Sequence, residues 1–154
     1  MEFRAVNNED RDNLIEFCVE LNFSRVAKLT EEERKLYFTT LLGQITSSDH
    51  TSTYIAIDEN KVIGLVSIHW LPYFIFGGSE GYISELFVLE QYRGHSVGNT
   101  LMKLVEDEAI AKNCIRLNLL NSRDKESYSR NFYSKLGFNE RENFANFVKN
   151  VQDV

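Results

Sequence analysis

The chain has 154 residues, 43% of them hydrophobic, enough for one domain that buries a sizeable core without disulfides or a structural metal. A net charge of −6 and an isoelectric point near 5.1 argue against nucleic acid as the main partner, because phosphate backbones demand clustered Lys and Arg; a cationic partner suits the surface better. No apolar run approaches bilayer length, and Met1-Glu2-Phe3-Arg4 lacks the regions of a signal peptide, so the expectation is a cytoplasmic protein with no membrane partner.

Residues 2–6 alternate as a short strand, and Asn7 or Asn8 followed by Glu9 and Asp10 opens a helix with acids at its positive end. That helix runs to about Leu21, with Leu14, Ile15, Phe17, Cys18 and Leu21 marking its buried face. Thr30 with Glu33 forms a capping box, and the helix it opens places Leu36, Tyr37, Leu41, Leu42 and Ile45 on one side. Residues 53–57 and 62–70 are rich in β-branched and aromatic side chains around the turn Asp58-Glu59-Asn60-Lys61, and so predict a hairpin. Pro72 then weakens strand character, and a third strand follows over 82–89. The next helix turns Val97, Leu101, Leu104, Val105 and Ala109 to the core. A strand over 114–120, a helix over 124–136 ended by Gly137 in the left-handed region, and short strands at 138–140 and 144–148 complete the chain. Cys18 and Cys114 show no CxxC spacing, and His50, His69 and His95 are scattered, so no metal site is expected.

Between the third strand and its helix lies Gln91-Tyr92-Arg93-Gly94-His95-Ser96-Val97-Gly98. A strand ending in a Gly-containing loop and leading at once into a helix aims unpaired N–H groups and a positive helix end at one point, where a pyrophosphate fits. Taken alone, Arg93-Gly94 is equally a plain turn. The run Glu85-Leu86-Phe87-Val88-Leu89-Glu90-Gln91-Tyr92 before it, and Asn131-Phe132-Tyr133-Ser134-Lys135-Leu136-Gly137-Phe138 after it, make the whole resemble the GNAT superfamily of N-acetyltransferases.

The resemblance implies a single α/β (α+β) domain over 1–154. Its central sheet would be mixed, mostly antiparallel and of about seven strands, flanked by about four helices, in the order β-α-α-β-β-β-α-β-α-β-β. It implies acetyl-CoA as co-substrate, with the pyrophosphate held by Arg93, Gly94, His95, Ser96, Val97, Gly98 and Asn99 and the pantetheine arm paired to main-chain groups near Phe87 and Val88. Ser96 stands where the family has its middle glycine, and Glu126 where many members have Asn. Tyr133 matches the position associated with the cofactor thiol and is the candidate general acid.

Glu85, an acid inside an apolar strand, is the candidate base, because a lysine-like amine of pKa about 10.4 is neutral only on the order of 0.1% of the time near pH 7.4. A structural ion pair or an outward position at a sheet edge is the alternative for Glu85. Trp70 and Tyr73, in the aromatic segment Trp70-Leu71-Pro72-Tyr73-Phe74-Ile75-Phe76, are candidates to hold a cationic acceptor, or else cover the sheet. The expected activity is acetyl transfer to a primary amine, of a small molecule or a peptide, by direct attack in a ternary complex. The alternative is a non-catalytic acyl-CoA-binding sensor or interaction domain. Acceptor identity and oligomeric state, monomer or homodimer, stay open.

Overall fold

The computed structural model describes residues 1–75 and 77–151, Ser24 by its backbone alone. The chain divides into two compact units, residues 1–120 and 121–154. In the first, five strands form one sheet in the order β1 (Glu2–Ala5), β2 (Thr51–Asp58), β3 (Lys61–Tyr73), β4 (Gly78–Val88) and β5 (Arg116–Leu119). The first four pair antiparallel and β5 joins β4 parallel. Among the described residues five strands stand where about seven were expected, and six helices, three of them single turns, where about four were.

Asn7 caps a single 3-10 turn that leads into α1 (Arg11–Glu20), which buries Leu14 and Phe17. A one-turn α2 (Ser24–Ala27) precedes α3 (Glu31–Thr46), whose capping box forms as read: Glu33 N–H donates to Thr30 Oγ1 and Thr30 N–H to Glu33 Oε2. The buried stripe of α3 differs from expectation. Phe38 and Leu42 are buried, whereas Leu36 and Tyr37 are exposed, because the i, i+4 row from Arg34 through Phe38 to Leu42 is the one that faces inward.

The β2–β3 hairpin turns through Glu59 and Asn60, both at positive φ, as a two-residue turn matched to strand twist requires. β3 runs three residues past Trp70 in spite of Pro72. The Trp70 N–H points to His50 O of the β2 side, so by alternation the N–H that Pro72 lacks would face the side where no strand continues. α4 (Val97–Ala111) packs Val97, Leu101, Met102, Val105 and Ala109 on one face of the sheet. It ends at Asn113 (φ 52°), where Cys114 N–H bonds Ala109 O and Asn113 N–H bonds Ile110 O. Among the described residues no helix is long and apolar enough to cross a membrane.

In the second unit the helix expected over 124–136 is two single turns, α5 (Glu126–Ser129) and α6 (Phe132–Lys135). Asn131 separates them with φ 54°, a left-handed conformation that Asn tolerates and a continuous helix forbids. Gly137 (φ 86°) terminates α6 as read, with Phe138 N–H bonded to Tyr133 O and Gly137 N–H to Ser134 O. The strands expected at 138–140 and 144–148 do not form. Glu140 is instead taken by Arg123 and Tyr128, and Arg141 stacks on Phe144. Phe147 and Val148 lie exposed, without the ladder partner and burial that make a strand stable.

One buried charge pins the first unit. Asp10, 3% exposed, receives both guanidinium nitrogens of Arg4 at 2.7 Å and the Asn7 N–H at 2.8 Å, linking β1 to the start of α1. The Arg4 bonds, opposed in part by burial, hold the Asp10 carboxyl below its ordinary value of 3.8. A depressed native pKa means stability that is complete above the unfolded value and is lost as pH falls through the native one. Asp10→Asn should therefore lower unfolding free energy by about 2 kcal/mol at pH 7, less than for a fully buried pair because Arg4 is partly solvated. The deficit should shrink in urea titrations below pH 4; an undiminished deficit would show that packing, not charge, accounts for the loss.

Candidate functional site

β4 has two different sides. β3 pairs along its whole length, but β5 pairs only with Glu80, Gly81, Tyr82 and Ile83, ending at Leu119. From residue 84 to 88 the outer side of β4 carries no strand. Leu89 N–H donates to Ile63 O, so by alternation the main-chain groups of Phe87 face β3, and those of Leu86 and Val88 face the open side. Arg93 Nε donates to Val88 O at 3.3 Å on that side. Of the two positions expected to pair with the cofactor arm, Val88 turns its main chain to the open side with its carbonyl taken by Arg93, while Phe87 contributes a ring packed edge-on against Phe23 at 4.8 Å.

The open edge runs straight into the loop. A 3-10 turn over Glu90–Tyr92 reverses the chain, and Gln91 is tied to Glu20 at the end of α1, which also pairs with Lys61 at the start of β3. Gly94 (φ 83°) and Ser96 (φ 61°) are both left-handed, and His95 Nδ1 lies 3.1 Å from Arg93 O. Ser96 is the N-cap of α4 but its hydroxyl caps nothing, so the first-turn N–H groups of Val97, Gly98 and Asn99 are left for another acceptor. Open space surrounds Gly94. These residues fit a pyrophosphate: an uncapped 15-residue helix, two left-handed residues at its entry, and an Arg beside them.

On the face of the sheet opposite α4, Glu85 lies across from Ser67, beside Cys18 of α1. The register slips here: Ser67 pairs Glu85 but Ile68 pairs Ile83, which makes Ser84 the extra residue of a β-bulge. Burial raises the Glu85 pKa above the ordinary carboxylate value, and the charge of His69 draws it partly back. The residue stays open to solvent, which screens those neighbours. Burial and the Glu85 charge push the Cys18 thiol up to about 11.

In the second unit Tyr133 is half-buried, its ring edge-on to Phe132 at 5.0 Å and Phe138 at 5.9 Å. Burial raises its pKa, so the phenol stays protonated at neutral pH.

The two acceptor candidates fall elsewhere. Trp70 is 4% exposed, on the α4 face, its Nε1 donating to Ser52 Oγ and Lys112 lying over its ring. A Cβ at Gly81 would come within 2.9 Å of that ring, which marks Trp70 as packed core rather than an exposed contact. Tyr73 pairs with Gly78 at the far end of the hairpin, roughly 20 Å along β4 from Glu85. Its neighbours Phe74 and Ile75 are exposed, and Phe76 lies outside the described residues. Sequence reasoning passed over His69, whose ring lies between Thr51 and Ser84 next to Glu85. The signal was the alternation Leu65, Ser67, His69, which puts a second polar side chain on the face of Glu85.

An uncharacterized N-acetyltransferase of Archaeoglobus fulgidus is 29% identical over 116 residues, covering 73% of this chain and 76% of that one. Two solved structures share the fold: a transcriptional regulator from Bacillus halodurans, with TM-score 0.81 and 16% identity over 97% of this chain and 98% of that one, and glucosamine-6-phosphate N-acetyltransferase from Arabidopsis thaliana, with TM-score 0.79 and 19% identity over 98% of each. The model of the acetyltransferase (GNAT) family matches residues 14–138, and the chain accordingly belongs to the GNAT acetyltransferases.

Proposed function

We propose that both units are parts of one acetyltransferase domain, which moves the acetyl group of acetyl-CoA directly to a primary amine, within a ternary complex. The observation that carries this reading is the continuous run from the unpaired β4 edge at Val88 to the uncapped start of α4. Such a run offers main-chain donors and acceptors to an extended amide-bearing arm, then a concentrated positive end to a pyrophosphate. A small-molecule amine is the preferred acceptor and a peptide amine the second. Structural neighbours of both kinds carry the fold, among them proteins described as an aminoglycoside acetyltransferase and a ribosomal-protein-alanine N-acetyltransferase.

In this reading Glu85 accepts a proton from the acceptor's ammonium, directly or through one water, which frees the amine lone pair to attack, and its raised pKa makes it a stronger base than an ordinary carboxylate. Val88 N–H, facing the open edge, polarises the thioester carbonyl. Tyr133 returns a proton to the leaving sulfur. Acetyl-CoA supplies the activated acyl group, and no side chain has to carry it. The Cys18 thiol, pushed up to about 11, stays neutral and does not compete as a nucleophile.

Ser96 is no obstacle. It already holds the left-handed conformation, so the strain of its Cβ is met by folding rather than by binding.

Thermal unfolding with acetyl-CoA at about a hundred times its Kd should show roughly 2.7 kcal/mol of stabilisation, a shift of several degrees, for wild type. Arg93→Ala should shrink that shift; no shift in wild type at millimolar ligand would remove the acetyl-CoA reading. Ser96→Gly should raise Tm by about 1–2 °C, the left-handed strain relieved less the added entropy of the unfolded chain, and leave acetyl-CoA affinity unchanged. A tenfold gain in affinity would instead mean that the loop reaches its conformation only on binding. Tyr133→Phe should lower kcat by about a hundredfold with the KM for acetyl-CoA little changed. Equal losses in both would take the general-acid role from Tyr133.

A further inference from the structure

The bulge at Ser84 does more than interrupt the ladder. Without the extra residue, successive side chains of β4 would alternate faces; with it, Ser84 and Glu85 both turn to the side of Ser67 and His69. His69 stands there between two hydroxyls, its Nδ1 3.3 Å from Thr51 Oγ1 and its Nε2 3.1 Å from Ser84 Oγ. Ser84 donates its single proton onward to Ser67 O at 3.4 Å, which leaves its lone pairs to accept from Nε2–H. The ring is thereby fixed in orientation between Thr51 and Ser84. β3 and β2 thus place an imidazole on the diagonal from Glu85, close enough for its charge to act on the carboxylate. From α1 the ionisable group facing Glu85 is Cys18.

We propose that His69 is the positioning residue of the base: held at the bulge by Thr51 and Ser84, its imidazolium form keeps Glu85 ionised, so that the pair sets the pH at which the acceptor's proton can be received. The inference rests on the reading of Glu85 as base. The proton balance is simple. The acceptor ammonium gives one proton to a Glu85 oxygen, the freed nitrogen lone pair forms the new bond to the acetyl carbon, and the C–S bond breaks with its electron pair leaving on sulfur, which takes the Tyr133 proton while the second nitrogen proton restores the phenol; His69 exchanges no atom and acts by charge.

The sign follows from the charge. A cation beside a carboxylate favours its ionised form, so removing the cation lets Glu85 stay protonated to higher pH. His69→Gln, which retains a hydrogen-bonding side chain but no charge, should move the Glu85 titration upward by roughly half a unit, and the shift should shrink at high salt because the site is open to solvent. Carbon-13 NMR of carboxyl-labelled glutamate reads that titration without any acceptor, with Glu85→Gln identifying the resonance. Ser84→Ala, which frees the ring, should give a smaller shift of the same sign. An unmoved Glu85 midpoint in His69→Gln overturns the inference while leaving Glu85 available as base.

The parallel measurement is thiol release from acetyl-CoA with an aliphatic diamine as probe acceptor. There the acid-side limb of kcat/KM should move alkaline in step with the NMR midpoint. If Glu85→Gln leaves that rate and its pH profile intact, the assignment of the base itself fails, and the inference with it.

Discussion

The site depends on β4 having company on one side for longer than on the other. Backbone donors and acceptors in a sheet demand partners, and an unpaired edge inside a fold is normally a liability. Here β5 stops at Leu119 while β4 continues to Val88, so the unpaired stretch is short, confined to residues 84–88, and directed at the mouth of the loop. The residues after it have no freedom to choose another route. Leu89 is buried and bonded to Ile63, the 3-10 turn follows at once, and Gln91 is anchored through Glu20 to α1 and β3.

The second constraint is how closely α4 lies on the sheet. A Cβ at Gly64 would meet Val97 Cγ1 at 3.0 Å, Leu101 Cδ1 at 3.2 Å and Phe87 O at 3.3 Å. The missing side chain in β3 therefore lets the first turn of α4 settle against the strand opposite Val88. Helix position, loop conformation and open edge are one packing solution. A methyl group at position 64 would push on all three, through contacts that protein interiors do not absorb easily.

Much of this was legible in the sequence because it is written in local chemistry. The Thr30–Glu33 box, the Glu59-Asn60 turn, the Gly137 terminator and the strand–loop–helix at 83–98 each need only neighbours a few residues apart. What escaped depends on distant partners or on one residue's backbone. Leu36 and Tyr37 adjoin Phe38 in sequence but lie off its row on the helix surface, and only the packing of the sheet shows that Phe38 carries the buried row of α3. Asn131 looks like any helical Asn until its φ is known. The run at 144–148 has strand composition but, among the described residues, no strand to pair with. The Ser84 bulge is invisible to alternation, since a serine fits either face, and with it went the company that His69 keeps.

Burial acts in the same direction on the carboxyl of Glu85, the thiol of Cys18 and the phenol of Tyr133, raising the pKa of each, and the outcome differs with the starting value. A carboxylate begins well below neutrality, and a rise strengthens its hold on a proton. A phenol begins well above neutrality, so the same rise keeps its proton in place. A thiol begins near 9 and, at about 11, is removed from the chemistry altogether. Among these three groups only Glu85 has its rise opposed by a neighbouring charge, that of His69. Glu85 is thus the group whose protonation a single nearby side chain can still adjust, whereas Tyr133 is held by burial and Cys18 by burial and the charge of Glu85.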